Sequence, residues 1–301
     1  MRSSPPAAPT SSRVEPMHVR GVLRDGARRL REAGLDSADR EAEWLLGRLL
    51  GMTPTELYLA DLAVPAEAAR VFMEQVRARR QGEPLQYLLG DAEFFGRTFA
   101  VRPGVFIPRP ETECVVEAVL AHARRLPGRL HLLDVCTGSG AIAVTLAAEL
   151  PACHLVALDV SWDPLVVARA NARRHGVLQR IQWVQGRGID ALCPGERFHG
   201  LIANPPYIPS AQVLQLPFDV RHEPVLGLDG GPDGMRDLRS LFAGAPQVLR
   251  PGGFLALECG EAQVAPLLAA AASAAWVASA QPIHDLSGRP RGVLMARSWT
   301  G

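Results

Sequence analysis

From His131 to the end of the chain, short apolar runs take turns with longer runs of helical periodicity. "LHLLDV" is followed by the turn "CTGSG" and the helical "AIAVTLAAEL", and "HLVALDV" by "PLVVARANARRHGV"; then come "IQWVQG", "FHGLIAN" and "GGFLALECG". Strands that alternate with helices predict a parallel sheet with covering helices, because each parallel crossover needs a dozen or more residues and a helix fills them. The tail "AWVASAQPIHDLSGRPRGVLMARSW" reads as two strands joined by a Gly/Pro turn, an antiparallel pair on the sheet edge.

An open parallel sheet binds its ligands beyond the carboxyl ends of its strands, near the switch in strand order. Asp134, Asp159 and Asn204 each stand at such an end and are expected to converge on one crevice. Gly138 and Gly140 fall where a helix begins, and glycines at that corner let a ligand approach the backbone. Asp159, 25 residues after Asp134, is placed to accept hydrogen bonds from a ribose. The loop alone is ambiguous. Gly138-x-Gly140-x-x-Ala143 also satisfies the dinucleotide fingerprint, so a nicotinamide enzyme and a merely structural turn stay open at this point.

"LIANPPYIPS" separates these readings. Pro205 and Pro206 have no N–H and a fixed φ, so they stop the strand at Asn204 and hold the next carbonyls in a narrow range of directions. A nicotinamide enzyme would want a hydride acceptor's proton donor there, commonly His, Tyr or Lys. Asn-Pro-Pro-Tyr instead offers two oxygens and an aromatic face, which suits an NH₂ group. The nitrogen of an amide or aromatic amine is a poor nucleophile because its lone pair is delocalised. If the Asn204 side-chain oxygen and the Pro205 carbonyl each accept one N–H, they orient that nitrogen and stabilise its move toward tetrahedral geometry. Tyr207 can lie against the planar group and exclude water. The matching electrophile is a sulfonium methyl, as in S-adenosylmethionine. No general base is needed, since the nitrogen's proton becomes strongly acidic once methylated.

Upstream, the pattern from Met17 to about Gly90 is helical. Leu23, Ala27 and Leu30 share one face of a first helix that Gly34 can end; Ser37 can cap a second carrying Trp44, Leu45, Leu49 and Leu50. In "TPTE", Thr53 reads as N-cap, Pro54 as the first helical residue and Glu56 as the reciprocal partner of a capping box. A fourth helix begins near Pro65, carries Phe72 and Val76, and ends before Gly82. "DAEFFGRTFAVRPGVFIPRPETE" then changes period, with Phe99, Val101 and Val105 interleaved as in a hairpin. The expected organisation is a Pro/Ser/Ala-rich disordered tail over 1–16, a helical domain over 17–90, a hairpin and linker over 91–110 and the catalytic domain over 111–301.

Composition bounds the partners. The 301 residues carry a net charge of +1, which gives no bulk attraction to nucleic acid. No apolar run reaches the roughly 20 residues of a membrane span, and the start has no apolar signal region. The five cysteines are scattered and never form C-x-x-C, which favours a reducing cytoplasm and argues against zinc. All 32 basic residues are arginine, so lysine nucleophiles and Schiff bases are excluded. Cys259, Trp183 and Trp276 are assigned to the core, His222 to a local loop contact, and the pairs Arg28-Arg29, Arg79-Arg80 and Arg173-Arg174 to solvated helix faces.

Taken together, "GEPLQYLLG", "GVFIPRPETE", "NPPYI", "DVRHEP", "GGFLALECG" and "DLSGRPRGV" make the chain resemble the release factor glutamine methyltransferases, the PrmC/HemK family, over most of residues 17–298. "NPPY" alone is shared with DNA adenine-N6 methyltransferases, whereas "IPRPETE" is far more specific. The resemblance implies a Rossmann-like class I methyltransferase domain of α/β type with a small N-terminal helical domain that helps hold the release factor. It implies S-adenosylmethionine as cofactor and the glutamine of a Gly-Gly-Gln motif as acceptor, in a cytoplasmic monomer with no nucleic-acid substrate. Carried over by position, Cys136, Thr137, Gly138, Ser139 and Gly140 line the cofactor, Asp159 holds its ribose, and Phe106 and Arg109 close its pocket. Asn204, Pro205, Pro206 and Tyr207 hold the glutamine, with Asn204, Pro205 and Tyr207 catalytic. Two positions depart from the family: Cys136 stands where a first glycine is usual, and Arg187 and Gly188 stand where Asp and a bulky residue usually meet the adenine, with Asp190 as the candidate from a shifted register. A ribosomal-protein glutamine methyltransferase, a nucleic-acid adenine methyltransferase and a catalytically silent homologue are the rivals.

Overall fold

The computed structural model describes residues 18–60, 62–195 and 197–299, so the tail expected over 1–16 lies outside the described residues. The chain divides into two compact units, with the boundary between Leu89 and Gly90.

The first unit is helical, with α1 (Val19–Glu32), α2 (Ala38–Leu50), α3 (Pro54–Leu59), α4 (Ala66–Arg80) and α5 (Leu85–Leu89). Leu23, Ala27, Leu30, Leu45, Phe72 and Val76 are buried together in its core, as their spacing predicts. The capping box forms: Glu56 N–H donates to Thr53 Oγ1 at 3.3 Å and Thr53 N–H to Glu56 Oε2 at 2.7 Å. Three details differ from the sequence reading. Ser37 precedes α2, but its hydroxyl donates to Glu41 Oε1 at 2.8 Å instead of accepting a backbone N–H. Trp44 falls off the buried stripe and is 42% exposed. Arg79 is not on a solvated face. It points from α4 toward α2, is 7% exposed, and its Nε donates to the buried Glu41 Oε2 at 2.7 Å.

The second unit opens with the hairpin β1 (Asp91–Phe94) and β2 (Arg97–Ala100), then α6 (Pro110–Ala123), a helix that the sequence reading did not place. The alternation follows: β3 (Leu130–Val135), α7 (Ala141–Glu149), β4 (Cys153–Asp159), α8 (Trp162–Arg174), β5 (Ile181–Gln185), β6 (Phe198–Ala203), the short α9 (Ser210–Val213), α10 (Arg236–Gly244), β7 (Leu249–Glu258), α11 (Glu261–Ser273), β8 (Val277–His284) and β9 (Pro290–Arg297). The seven-stranded sheet runs β5-β4-β3-β6-β7-β9-β8, parallel except for β9, which is antiparallel to both its neighbours. Chain order moves outward from β3 to β5 and then restarts at β6 on the other side of β3. The switch point therefore lies between the carboxyl ends of β3 and β6.

Both faces of the sheet are covered, and the period of two sorts side chains between them. Leu132, Ala157, Ile202, Phe254, Ala256 and Leu294 pack with α6 and α7. Leu133, Leu158, Leu201, Ala203, Leu255, Leu257 and Val293 pack with α10 and α11. Each strand is therefore a near-continuous apolar run, as buried parallel strands must be. Cys259 is buried; Trp183 and Trp276 are partly buried at the margins of the two cores. Among the described residues no helix is long and apolar enough to cross a membrane.

Candidate active site

A cavity opens at the switch point, with an empty volume of about 1070 Å³ counted out to its mouth. Its walls include Cys136 and Gly138 after β3, Asp159 at the end of β4, Arg187, Gly188 and Asp190 after β5, Asn204 and Pro206 after β6, and Phe106 from the segment before α6. Seven of the predicted cofactor residues thus meet in one place: Phe106, Cys136, Gly138, Asp159, Arg187, Gly188 and Asn204.

The loop between β3 and α7 is held from below. Asp134 does not face the crevice, contrary to the sequence reading; it is fully buried on the α7 side of the sheet, where its carboxylate accepts from Thr137 Oγ1 at 2.6 Å and Ala143 N–H at 3.1 Å. Burial raises its pKa to about 7 against the pull of those two donors. Thr137 and Ser139 are buried with it and do not line the cavity. Gly140 does not line it either. A Cβ there would stand 2.9 Å from the Ala168 side chain, so this glycine sets the approach of the loop to α8. Cys136 takes the left-handed conformation, φ 63°, that the missing glycine would adopt freely. Burial pushes its thiol pKa up, so it is a neutral wall and not a nucleophile.

Asp159 is nearly buried, and each carboxylate oxygen accepts one backbone N–H: Oδ2 from Gly138 and Oδ1 from Ser161, both at 2.9 Å. Burial raises its pKa, and these amides oppose the shift. Each oxygen keeps a further lone pair, the acceptor pattern that a ribose diol needs.

Arg109 does not line the cavity. It is neither free nor paired with Glu111 or Glu113; its guanidinium pairs with the buried carboxylate of Glu223 in "DVRHEP" and lies 5.0 Å from the Phe106 ring centroid. Glu223 also accepts Ile107 N–H at 3.0 Å. Arg109 and Glu223 thus hold the segment that carries Phe106 against the cavity. His222 packs edge-on to Phe218 at 5.2 Å, outside the cavity walls.

On the acceptor side, Asn204 Nδ2 donates to Thr112 Oγ1 at 3.1 Å, which leaves the side-chain oxygen of Asn204 to other partners. Pro205 is buried and Tyr207 half-buried, beside the cavity and not among its walls. The Tyr207 hydroxyl donates to Glu258 Oε1 at 3.3 Å, and its carbonyl accepts from Gln263 Nε2 at 2.8 Å. Gln263 also donates to the Gly234 carbonyl at 3.1 Å, and its Oε1 accepts Gly260 N–H at 2.8 Å, so the first turn of α11 anchors the Asn-Pro-Pro-Tyr loop.

Sequence reasoning missed Thr112, Glu223, Glu258, Gln263 and the α10 wall of Arg236, Asp237, Ser240 and Leu241. Glu258 left a signal of its own, since like Asp134 and Asp159 it is an acid at the carboxyl end of an apolar run, while Thr112 and Glu223 lie inside the motifs "GVFIPRPETE" and "DVRHEP" without having been singled out.

The chain compares with known proteins over nearly its full length. Residues 21–90 match the family model described as the PrmC N-terminal domain, and residues 132–216 that of a methyltransferase domain. The release factor glutamine methyltransferase of Moorella thermoacetica is 43% identical over 286 residues, covering 93% of this chain and 99% of the relative. The chain belongs to the release factor glutamine methyltransferase family. Another member of that family, from Bradyrhizobium diazoefficiens, is 38% identical, covering 91% of this chain and 93% of its own. Among solved structures, the human METTL16 catalytic domain superposes with a TM-score of 0.52 at 16% identity, over 78% of this chain and 83% of that one. A Pyrococcus furiosus methyltransferase gives 0.50 at 18% identity, over 68% and 91%. These two show the shared Rossmann-like class I methyltransferase fold. The release factor glutamine methyltransferase fold thus places the family's glycine loop and Asn-Pro-Pro-Tyr on adjacent strands of one sheet.

Proposed function

We infer that this protein transfers a methyl group from S-adenosylmethionine to the side-chain amide nitrogen, N5, of the glutamine in the Gly-Gly-Gln motif of peptide chain release factors. The observation that carries this reading is the Asn204 amide, fixed through its nitrogen by Thr112 in the wall of the cavity that Asp159 also lines.

The residues fit the cofactor. Asp159 supplies buried acceptor oxygens for a diol; Gly138 leaves room at the wall, the nearest atom to a Cβ there being Phe106 Cβ at 3.9 Å; Leu158 and Leu241 add apolar surface. Arg187 and Asp190 both reach the cavity at the predicted adenine end. When bound, S-adenosylmethionine supplies an electrophilic methyl whose departure leaves a neutral thioether.

This chain's residues prepare the nucleophile. The Asn204 oxygen and the Pro205 carbonyl each accept one N–H of the substrate amide, which turns the nitrogen lone pair out of conjugation toward the cofactor. The proline pair keeps the carbonyl aimed. Tyr207 covers the amide plane, and its hydroxyl stays protonated because burial, reinforced by Glu258, raises its pKa. With the cofactor bound, the acceptor nitrogen held by Asn204 and Pro205 would take the methyl as the thioether leaves, and would then give one proton to water. The acceptor in this reading is a protein, the release factor, as the names of the relatives suggest.

The test is incubation with labelled S-adenosylmethionine and a purified release factor, wild type or with the Gly-Gly-Gln glutamine changed to alanine, followed by mass mapping. Label on that glutamine and none on the variant is the expected result. Label on a ribosomal protein or on DNA, with none on the release factor, would overturn the substrate.

A further inference from the structure

A site that recognises only a primary amide offers too few contacts to choose one glutamine in one partner. The choice has to come from surface beyond the amide. The chain that leaves the Asn-Pro-Pro-Tyr loop carries such a surface. Of the thirteen large apolar side chains exposed among the described residues, four lie within residues 214–226: Leu214 at 81%, Phe218 at 52%, Val225 at 58% and Leu226 at 48%. Single exposed apolar residues are ordinary, but four in one short stretch beside a cavity are not. The flanking Val213 and Leu228 are buried, so the core already has its apolar residues from this part of the chain.

The stretch is held in shape. Its base closes beside the acceptor loop, where Ile208 N–H donates to the Leu228 carbonyl at 3.0 Å and Gly230 N–H to the Ile208 carbonyl at 2.9 Å. Between those ends the backbone folds into turns: Arg221 N–H donates to the Pro217 carbonyl at 3.1 Å and Gly227 N–H to the Pro224 carbonyl at 2.8 Å. The buried Glu223 fixes the middle by accepting Ile107 N–H at 3.0 Å. A partner that covers the exposed side chains therefore does not have to order the backbone that presents them. Phe218 lies between the Arg221 guanidinium, 5.1 Å from its ring centroid, and the ring of His222. Arg221 is exposed and forms no ion pair among the described residues. An aromatic ring with an unpaired guanidinium beside leucine and valine is the composition of an interface core.

The occupant follows from position. The stretch begins just after Tyr207 and ends in the cavity wall, which Pro224, Leu226 and Gly227 line; Leu226 is both wall and exposed surface. A glutamine that enters the cavity brings its neighbouring residues to this rim. We propose that Leu214, Phe218, Val225 and Leu226 form the docking surface for the release-factor chain that flanks the reactive glutamine, with apolar side chains of that chain covering the four and one of its carbonyl or carboxylate oxygens meeting Arg221. The proposal rests on the release factor being the substrate, and it adds the surface that selects it.

The experiment uses the full-length protein and a purified release factor, and measures KM, kcat, cofactor Kd and the thermal midpoint for wild type, Leu214→Ala, Phe218→Ala and the double variant. Neither position lines the cavity. The double variant should raise the release-factor KM roughly tenfold or more, with kcat and cofactor Kd within about twofold of wild type and the midpoint unchanged, because the lost contacts are made equally in the ground and transition states. In a second arm, a photo-crosslinking benzoylphenylalanine replaces Phe218 and should couple to release-factor residues next to the glutamine. An unchanged KM in the double variant, or a crosslink to a second copy of this chain in place of the release factor, would overturn the proposal. If wild type labels the release factor and the double variant does so with the same KM, the proposal fails and the substrate reading survives; if wild type labels no release factor, both fail.

Discussion

Val135 and Ala203 are partners across the parallel ladder of β3 and β6, so Cys136 and Asn204, the residues that follow them, leave the sheet side by side. One begins the cofactor loop and the other the Asn-Pro-Pro-Tyr loop. The proposed reaction therefore has its two halves on adjacent strands, and a change in either loop can be read against the other.

Cys136 pays for its place with a left-handed backbone, which costs an L-residue about 1–2 kcal/mol, more than the roughly 0.5–1 kcal/mol that glycine loses through its freer unfolded chain. Cys136→Gly should therefore hold or raise the thermal midpoint and tighten cofactor binding by removing a side chain from the wall. Calorimetry of melting and of binding checks both; a lower midpoint would contradict the strain.

Asp159 holds the loop through the amides of Gly138 and Ser161, and in the proposed function its remaining lone pairs hold the ligand. Asp159→Ala should weaken S-adenosylmethionine by roughly 10- to 100-fold, the scale for losing hydrogen bonds to a charged group. An equilibrium binding titration decides this, and unchanged affinity would remove Asp159 from the cofactor site.

Burial raises the Glu258 carboxyl to about 7 from an ordinary value of 4.5. Its folded state holds a proton that the unfolded chain has released between those two values, so this group's contribution to stability falls as pH rises through the window. Glu258→Gln removes that slope. The variant should gain melting temperature over wild type at pH 8 and little at pH 4.5, with Asp134, raised in the same direction, leaving a residual slope in both proteins. A gain independent of pH would show that the carboxyl does not titrate there.

Arg79 and Glu41 form an ion pair at 7% and 6% side-chain exposure inside the helical unit. Glu41→Ala leaves a guanidinium buried without its carboxylate and should cost about 3–5 kcal/mol in denaturant unfolding. A loss below 1 kcal/mol would mean the charge escapes to solvent.

Much of this was legible in the sequence because period and punctuation act locally. The alternation after His131 fixed the sheet, the glycines and Asp159 marked one loop, and the two prolines marked the other. The roles of Thr112 and Gln263 left no local sign: each acts through a partner 92 or 56 residues away in the chain, and only the packing of α6 and α11 on the sheet shows it. Arg79 misled for the same reason. Its dipeptide reads as a solvated face until α2 supplies Glu41. Asp134 looked like a ligand because strand ends attract that reading, yet alternation sent it to the α7 face, beneath the loop and away from the crevice.

The central claim is that the Asn204 oxygen prepares the acceptor nitrogen, and a single-turnover measurement tests it most directly. Enzyme saturated with S-adenosylmethionine is mixed with a smaller amount of release factor, and the rate of methyl appearance is compared between wild type and Asn204→Ala at equal cofactor occupancy. A rate lower by about 100-fold or more, with cofactor affinity unchanged, is the predicted result. Equal rates in the two proteins would contradict it.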